Sequence, residues 1–220
     1  MSRIYTYYIT LVGVVCAYFI IHLLFFTDLS TRTVQSDVLQ GFLIGFGLAV
    51  VTAQIYGWIK ATKVNGWITM FGLGVPGNGM LLRAACALLF PGPVVVPEEA
   101  MYWRTHTDGA GHTLDGRHDY VMHFPAGGLP PNNAFWSLTM GDAKNHFVPN
   151  PIKQYSVSDR SGLAQNADGS VDVYIQNTAP TGRESNWLPA PAGKFILWLR
   201  VYLPGAAILD CTYTVPPVSK

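Results

Sequence analysis

The stretch NWLPAPAGKFILWLRVYLP, residues 186–204, decides the fold. It opens on a proline-stiffened turn, Leu188-Pro189-Ala190-Pro191-Ala192-Gly193, and then runs on without a helix signal. Phe195, Leu197, Leu199, Val201 and Leu203 share one parity; Ile196, Trp198, Arg200 and Tyr202 share the other. Period-two patterning rich in aromatic and branched residues predicts a strand, here with both faces covered. Arg200 is the single charge on the second face, and a functional reading has to account for it.

Outward from this strand, short apolar alternations recur between turn signals. Strands are expected near Met101–Thr107, Asp119–Phe124, Ala134–Met140, Lys153–Val157, Val171–Gln176, Phe195–Leu203 and Ala207–Val215. Asp108-Gly109, Asp115-Gly116, Gly127-Gly128, Asp168-Gly169 and Thr181-Gly182 punctuate them. Repeated strands at this spacing predict a mostly β domain, a jelly-roll-like antiparallel β-sandwich over residues 101–220.

The chain before this domain has a different composition. Only 12% of the 220 residues are charged and half are hydrophobic, against roughly 25% charged in a soluble domain. Ile4–Phe26 and Val38–Ile59 carry no formal charge, and each is long enough as a helix to cross a hydrocarbon core of ~30 Å. Residues 1–62 are thus expected to form a two-helix transmembrane hairpin (4–26 and 38–59), with Gly41 and Gly45 as a helix-packing face. The first span reads as uncleaved, lacking a small-residue cleavage site, and its His22 as a neutral imidazole. Residues 63–100 read as a connector containing one short helix, Met80–Leu89. Arg3, Lys60 and Lys63 against Arg32 place both termini in the cytoplasm by the positive-inside rule.

The net charge of +1, with no Lys/Arg stripe, excludes nucleic acid as a partner. Cys16, Cys86 and Cys211 have no metal-ligand spacing; Cys86–Cys211 is the one disulfide that could form, and a sparse, odd set reads as buried thiols. His106, His112, His118 and His123 lie among Asp108, Asp115 and Asp119, but Asp-Gly pairs are also what β-turns require. Ser137 lacks a Gly-x-Ser-x-Gly context. Glu98 and Glu99 are adjacent and make no carboxylate pair. No catalytic residue, metal or cofactor is expected. The candidate ligand face is aromatic and polar: Trp198, Arg200 and Tyr202 on one strand, Asp172, Tyr174 and Gln176 on another, with Trp136 nearby. If those strands are neighbours, Arg200 pairs with Asp172 and the rings form a platform for a sugar or small polar ligand. A scaffold role for Arg200 carries more weight.

At these residues the chain resembles a known family. LLRAACAL (81–88), EEAMY (98–102), DGAGHTLDG (108–116), YVMHF (120–124), LPPNNAFWSLTM (129–140), NPIKQYSV (150–157), DGSVDVYIQ (168–176) and the 186–204 stretch are similar to the domain of unknown function 1214, often found behind a domain of unknown function 1254. The likeness covers about residues 64–220. It implies a β-sandwich, usually outside the cytoplasm, with no established reaction, so the side of the membrane stays open. Two departures stand out: Gly141 where the family usually has an aromatic, and Cys211-Thr212-Tyr213 in place of Gly-x-Trp. The resulting expectation is a protein of the cell (inner) membrane. It would act as a binding or accessory module contacting the lipid bilayer, another membrane protein and a small polar or sugar ligand. The alternative is a carbohydrate-active or other hydrolytic enzyme.

Overall fold

The structure, a computed structural model, describes residues 17–18, 34–72, 74–90 and 94–220. Apart from the helical Ala17 and Tyr18, the expected first span and its His22 lie outside the described residues. The chain divides into two units, residues 1–60 with 77–93, and residues 61–76 with 94–220.

In the first unit, α1 (Val34–Lys60) is one uninterrupted helix of 27 residues, about 40 Å long at 1.5 Å per residue. Its segment Ser36–Lys60 is the one helix among the described residues that is long and apolar enough to cross a membrane. Phe42, Phe46 and Ile59 are exposed. The second helix, α2 (Met80–Leu89), packs on α1 at Gly57. A Cβ there would meet Leu89 Cδ1 at 2.8 Å and the Ala85 Cβ at 3.2 Å. Gly57 is thus a close-approach glycine, whereas nothing described comes within 4 Å of a Cβ at Gly41 or Gly45.

The second unit is a sandwich of two unequal, unclosed sheets. Its strands are β1 (Thr62–Val64), β2 (Trp67–Thr69), β3 (Ala100–Thr105), β4 (Tyr120–Phe124), β5 (Asn132–Asp142), β6 (Ser156–Ser158), β7 (Val171–Gln176), β8 (Trp187–Pro189), β9 (Phe195–Pro204) and β10 (Val218–Ser219). One sheet has the order β1-β2-β3-β9-β5-β6 and the other β10-β4-β7-β8. All pairs are antiparallel except β7 with β8. The core is built from alternate residues of both sheets: Phe195, Leu197, Leu199 and Val201 of β9 meet Met122 and Phe124 of β4 and Val171, Val173 and Ile175 of β7. Each such side chain contributes roughly 1.5–3 kcal/mol on burial.

Several expectations change. Ala207–Val215 is not a strand: Ala206–Leu209 forms a short helix, α3, and Cys211 then takes a left-handed φ of 64°, a geometry that ends regular structure. The proline-rich start of the 186–204 stretch is not only a turn. Trp187–Pro189 is the edge strand β8, where Pro189 leaves no inward ladder bond unmade. The segment expected to be a surface connector supplies β1 and β2, a hairpin closed by Asn65 (φ 52°) and Gly66 (φ 83°). Two positive φ values in a two-residue loop make a type I′ turn, which only such residues adopt readily. Trp67 of that hairpin lies in the sandwich core. Cys86 and Cys211 are both free thiols, and Cys211 is exposed rather than buried.

The Asp115-Gly116 turn is pinned against the loop before β9, with Gly116 N–H donating to the Gly193 carbonyl at 3.0 Å. A Cβ on Gly116 would overlap the Pro191 carbonyl oxygen, whereas Gly193 has open space. Gly116→Ala is therefore expected to cost about 1–3 kcal/mol by forcing these loops apart, and Gly193→Ala much less. Thermal melts of the two variants check this ordering.

Candidate functional site

Strand β9 runs between β3 and β5, so its outward side chains meet outward neighbours on both sides. Tyr102 lies opposite Arg200 and Arg104 opposite Trp198 on β3; Ser137 faces Arg200 and Thr139 faces Trp198 on β5. The resulting face centres on a half-buried guanidinium. Arg200 donates one hydrogen bond, to Thr139 Oγ1 at 3.1 Å, and forms no ion pair with a carboxylate among the described residues. Burial pushes its pKa below an arginine's usual value, and the hydroxyls of Tyr202 and Tyr102 act the other way. Burial likewise raises the Tyr102 pKa.

The rings on this face are engaged with the protein itself. The guanidinium carbons of Arg200 and Arg104 sit 5.4 and 5.7 Å from the Trp198 ring centre. The Trp198 indole N–H donates to Asn145 Oδ1 at 2.6 Å. Trp198 is 5% exposed, so it offers no open stacking platform. Tyr202 stacks on Phe135 with ring centres 4.4 Å apart, and Arg160 covers Phe135 at 4.5 Å.

Asp172, Tyr174 and Gln176 do not join this face. They belong to β7 in the other sheet, on its outward side, since Val171, Val173 and Ile175 point into the core. Arg200 and Asp172 therefore cannot pair. Trp136 is not on the outward face either. It is fully buried beside Phe124, with ring centres 5.5 Å apart, and its indole N–H has no acceptor among the described residues.

On β7, Asp172 pairs instead with His123 of β4, Nδ1 to Oδ1 at 2.6 Å, and accepts from Asn166 at 2.9 Å. Burial alone would raise the Asp172 pKa; these two bonds outweigh it and the shift is downward. Tyr174 Oη accepts from Arg183. An imidazole oriented by a carboxylate is half of an acid–base device. The nearby Ser170 hydroxyl, however, donates to Asp168 at 2.6 Å and not to the ring.

The His- and Asp-rich segment builds turns. Asp108 Oδ1 accepts the Ala110 and His112 amide N–H groups at 3.1 and 2.8 Å. Asp115 takes a two-point bond from Arg117, Nε to Oδ1 at 2.9 Å and a terminal nitrogen to Oδ2 at 2.7 Å. His106 stays neutral, its pKa lowered to about 4 by burial and by Arg104.

With this geometry in view, residues 99–206 match the family described as "Protein of unknown function (DUF1214)". The sandwich is a DUF1214 domain. The VPA0106 protein from Vibrio parahaemolyticus, a crystal structure, is similar at 27% identity with a TM-score of 0.59 over 88% of this chain and 46% of its own. An uncharacterized protein from Burkholderia cenocepacia matches at 14% identity and a TM-score of 0.36, over 81% of this chain and 41% of its own. The chain thus spans less than half the length of these two solved structures. No curated protein matches it.

The family departures now have a physical setting. Gly141 lies in β5 beside Ile196, and a Cβ there would come within 3.6 Å of Asn145 Oδ1, the acceptor of the Trp198 N–H. An aromatic at 141 would compete for the space in which Asn145 caps Trp198. At Cys211 the left-handed φ explains why glycine suits that position.

Sequence reading missed the β1–β2 hairpin and with it Trp67. The signal was present, because Asn-Gly between apolar residues marks a hairpin.

Asp115 supplies a pH test. Its pKa falls from 3.8 to about 2, first through the side-chain bond from Arg117 and against the opposing effect of burial. A depressed carboxylate pKa adds stability that is present above the unfolded value and is lost as pH falls through the folded one. The melting-temperature gap between wild type and Asp115→Asn is expected to be full at neutral pH and to close between pH 3.8 and about 2.

Proposed function

We propose that this chain is a membrane-tethered binding module, an accessory partner of another membrane protein, and that the Arg200 face takes a small polar ligand bearing an anionic group. One observation carries the ligand class. A half-buried guanidinium with five donors spends one on Thr139 and meets no carboxylate among the described residues. Such a group matches a carboxylate, phosphate or sulfate, which it can hold by two parallel bonds. Arg104 adds positive charge beside the same indole. An acidic sugar satisfies both the charge and the hydroxyl-rich surroundings of Ser137 and Thr139.

The hydrolase alternative has less support. It needs an acid, and in the acid-rich Asp108–Asp119 segment Asp108 and Asp115 are engaged as turn formers. Membrane attachment is supported by the apolar, outward-facing surface of α1 and by the low charge content of the chain.

Glucuronate, followed by Trp fluorescence or isothermal titration, is expected to bind saturably where glucose does not. Arg200→Met should weaken it roughly 10–100-fold, the usual worth of hydrogen bonds to a charged group, with Arg200→Lys intermediate. A folded Arg200→Met protein that binds as wild type does would overturn the site.

For the anchor, wild-type chain is expected to stay in the membrane pellet after an alkaline carbonate wash. Phe42→Lys/Phe46→Lys should lower the fraction retained. A wild-type chain that washes off contradicts the tether.

A further inference from the structure

The hairpin that the sequence reading missed helps to wall a cavity at the edge of the six-stranded sheet. Its volume is about 210 Å³. Trp67, Phe71, Trp103 and Tyr213 line it; Trp67 and Trp103 belong to the core, and Phe71 and Tyr213 pack against it. These walls are held in place by hydrogen bonds from their polar ends. Trp67 Nε1–H donates to the Pro216 carbonyl at 2.8 Å, and the Tyr213 hydroxyl to the Gly128 carbonyl at 3.2 Å. Asn65 ties the hairpin tip to the Val215 carbonyl at 3.0 Å. The cavity is therefore rigid on the side formed by the C-terminal tail.

Polar groups are few and uncharged. Thr62, Thr69 and Thr214 contribute hydroxyls. No charged side chain among those residues lines the space, so an ion entering it would lose its water without gaining a partner. The partly buried rings of Phe71 and Tyr213 favour a flat ring in offset or edge-to-face contact. The threonine hydroxyls favour one or two ring heteroatoms. A volume below the ~300–1,000 Å³ of a usual small-molecule site limits the occupant to one or two fused rings.

We propose that this cavity is a second binding site, independent of the Arg200 face, for a small neutral heteroaromatic molecule. Cys211 also lines it as an exposed free thiol and reports on occupancy. Val64, itself on the cavity wall and half open to solvent, lies outside the core.

The test uses the full chain in lipid nanodiscs, indole as the probe, and iodoacetamide labelling of Cys211 read by peptide mass spectrometry. At about ten times its Kd, indole is expected to slow Cys211 labelling roughly tenfold by mass action. Indole-3-carboxylate, the same ring with a charge, should give little protection, and Val64→Trp should remove the indole effect by filling the mouth. The proposal fails if saturating indole leaves the labelling rate of the wild-type chain unchanged. It fails equally if indole-3-carboxylate protects as well as indole does, or if Val64→Trp keeps full protection. Neither wild-type arm depends on the Arg200 face, so glucuronate binding and indole binding stand or fall separately.

Discussion

The burial of alternate residues of β9 against the facing sheet is the constraint on which the domain depends. Phe195, Leu197, Leu199 and Val201 are each 1% exposed or less, and a strand's pleat then obliges Trp198, Arg200 and Tyr202 to face outward. A one-residue slip would put a guanidinium into the core, so register is strongly specified. The pairing on both sides extends this constraint. β3 and β5 each lie antiparallel to β9 over most of its length, and their outward residues are thereby brought to the Arg200 face. A bulge between Asn132 and Phe135 and the left-handed φ of 47° at Leu203 end the regular ladder near Pro204.

The same geometry explains why the aromatic rings near Arg200 are not a stacking platform. On a sheet of six strands the outward rings find neighbours within the sheet itself: Tyr202 on Phe135, Trp198 beneath two guanidinium groups and capped by Asn145. What remains underused is the hydrogen-bonding capacity of one arginine. The recognition proposed for this face rests on charge and directed N–H groups, whereas the cavity walled by the β1–β2 hairpin offers the reverse, ring surface without charge. The two faces of chemistry occupy different parts of one domain.

Legibility followed the range of the interactions involved. The strand alternations of β4, β5, β7 and β9 were readable because each strand keeps one face in the core over five or more residues. The hairpin was readable in principle from Asn65-Gly66, but its strands are only three residues long and its first is exposed throughout. β8 was hidden because Trp187-Leu188-Pro189 sits in a proline-rich run that reads as a turn. Its strand character comes from parallel pairing with β7, which no local pattern announces. The 206–209 helix was misread because branched and aromatic residues follow it, while Gly205 and the left-handed Cys211 set its limits.

The sequence by itself determined the DUF1214 likeness, the long apolar helix, and the side of each core strand that points inward. Those are properties of spacing and composition, which a chain carries before it folds. Only the tertiary structure decided which strands are neighbours. β7 and β9 each have a readable outward face, but sheet membership depends on pairings between residues far apart in sequence. Those pairings send Asp172 to His123 and leave Arg200 with Thr139. The cavity has the same origin, since its walls come from residues 62–71, Trp103 and residues 211–215, segments that only folding brings together.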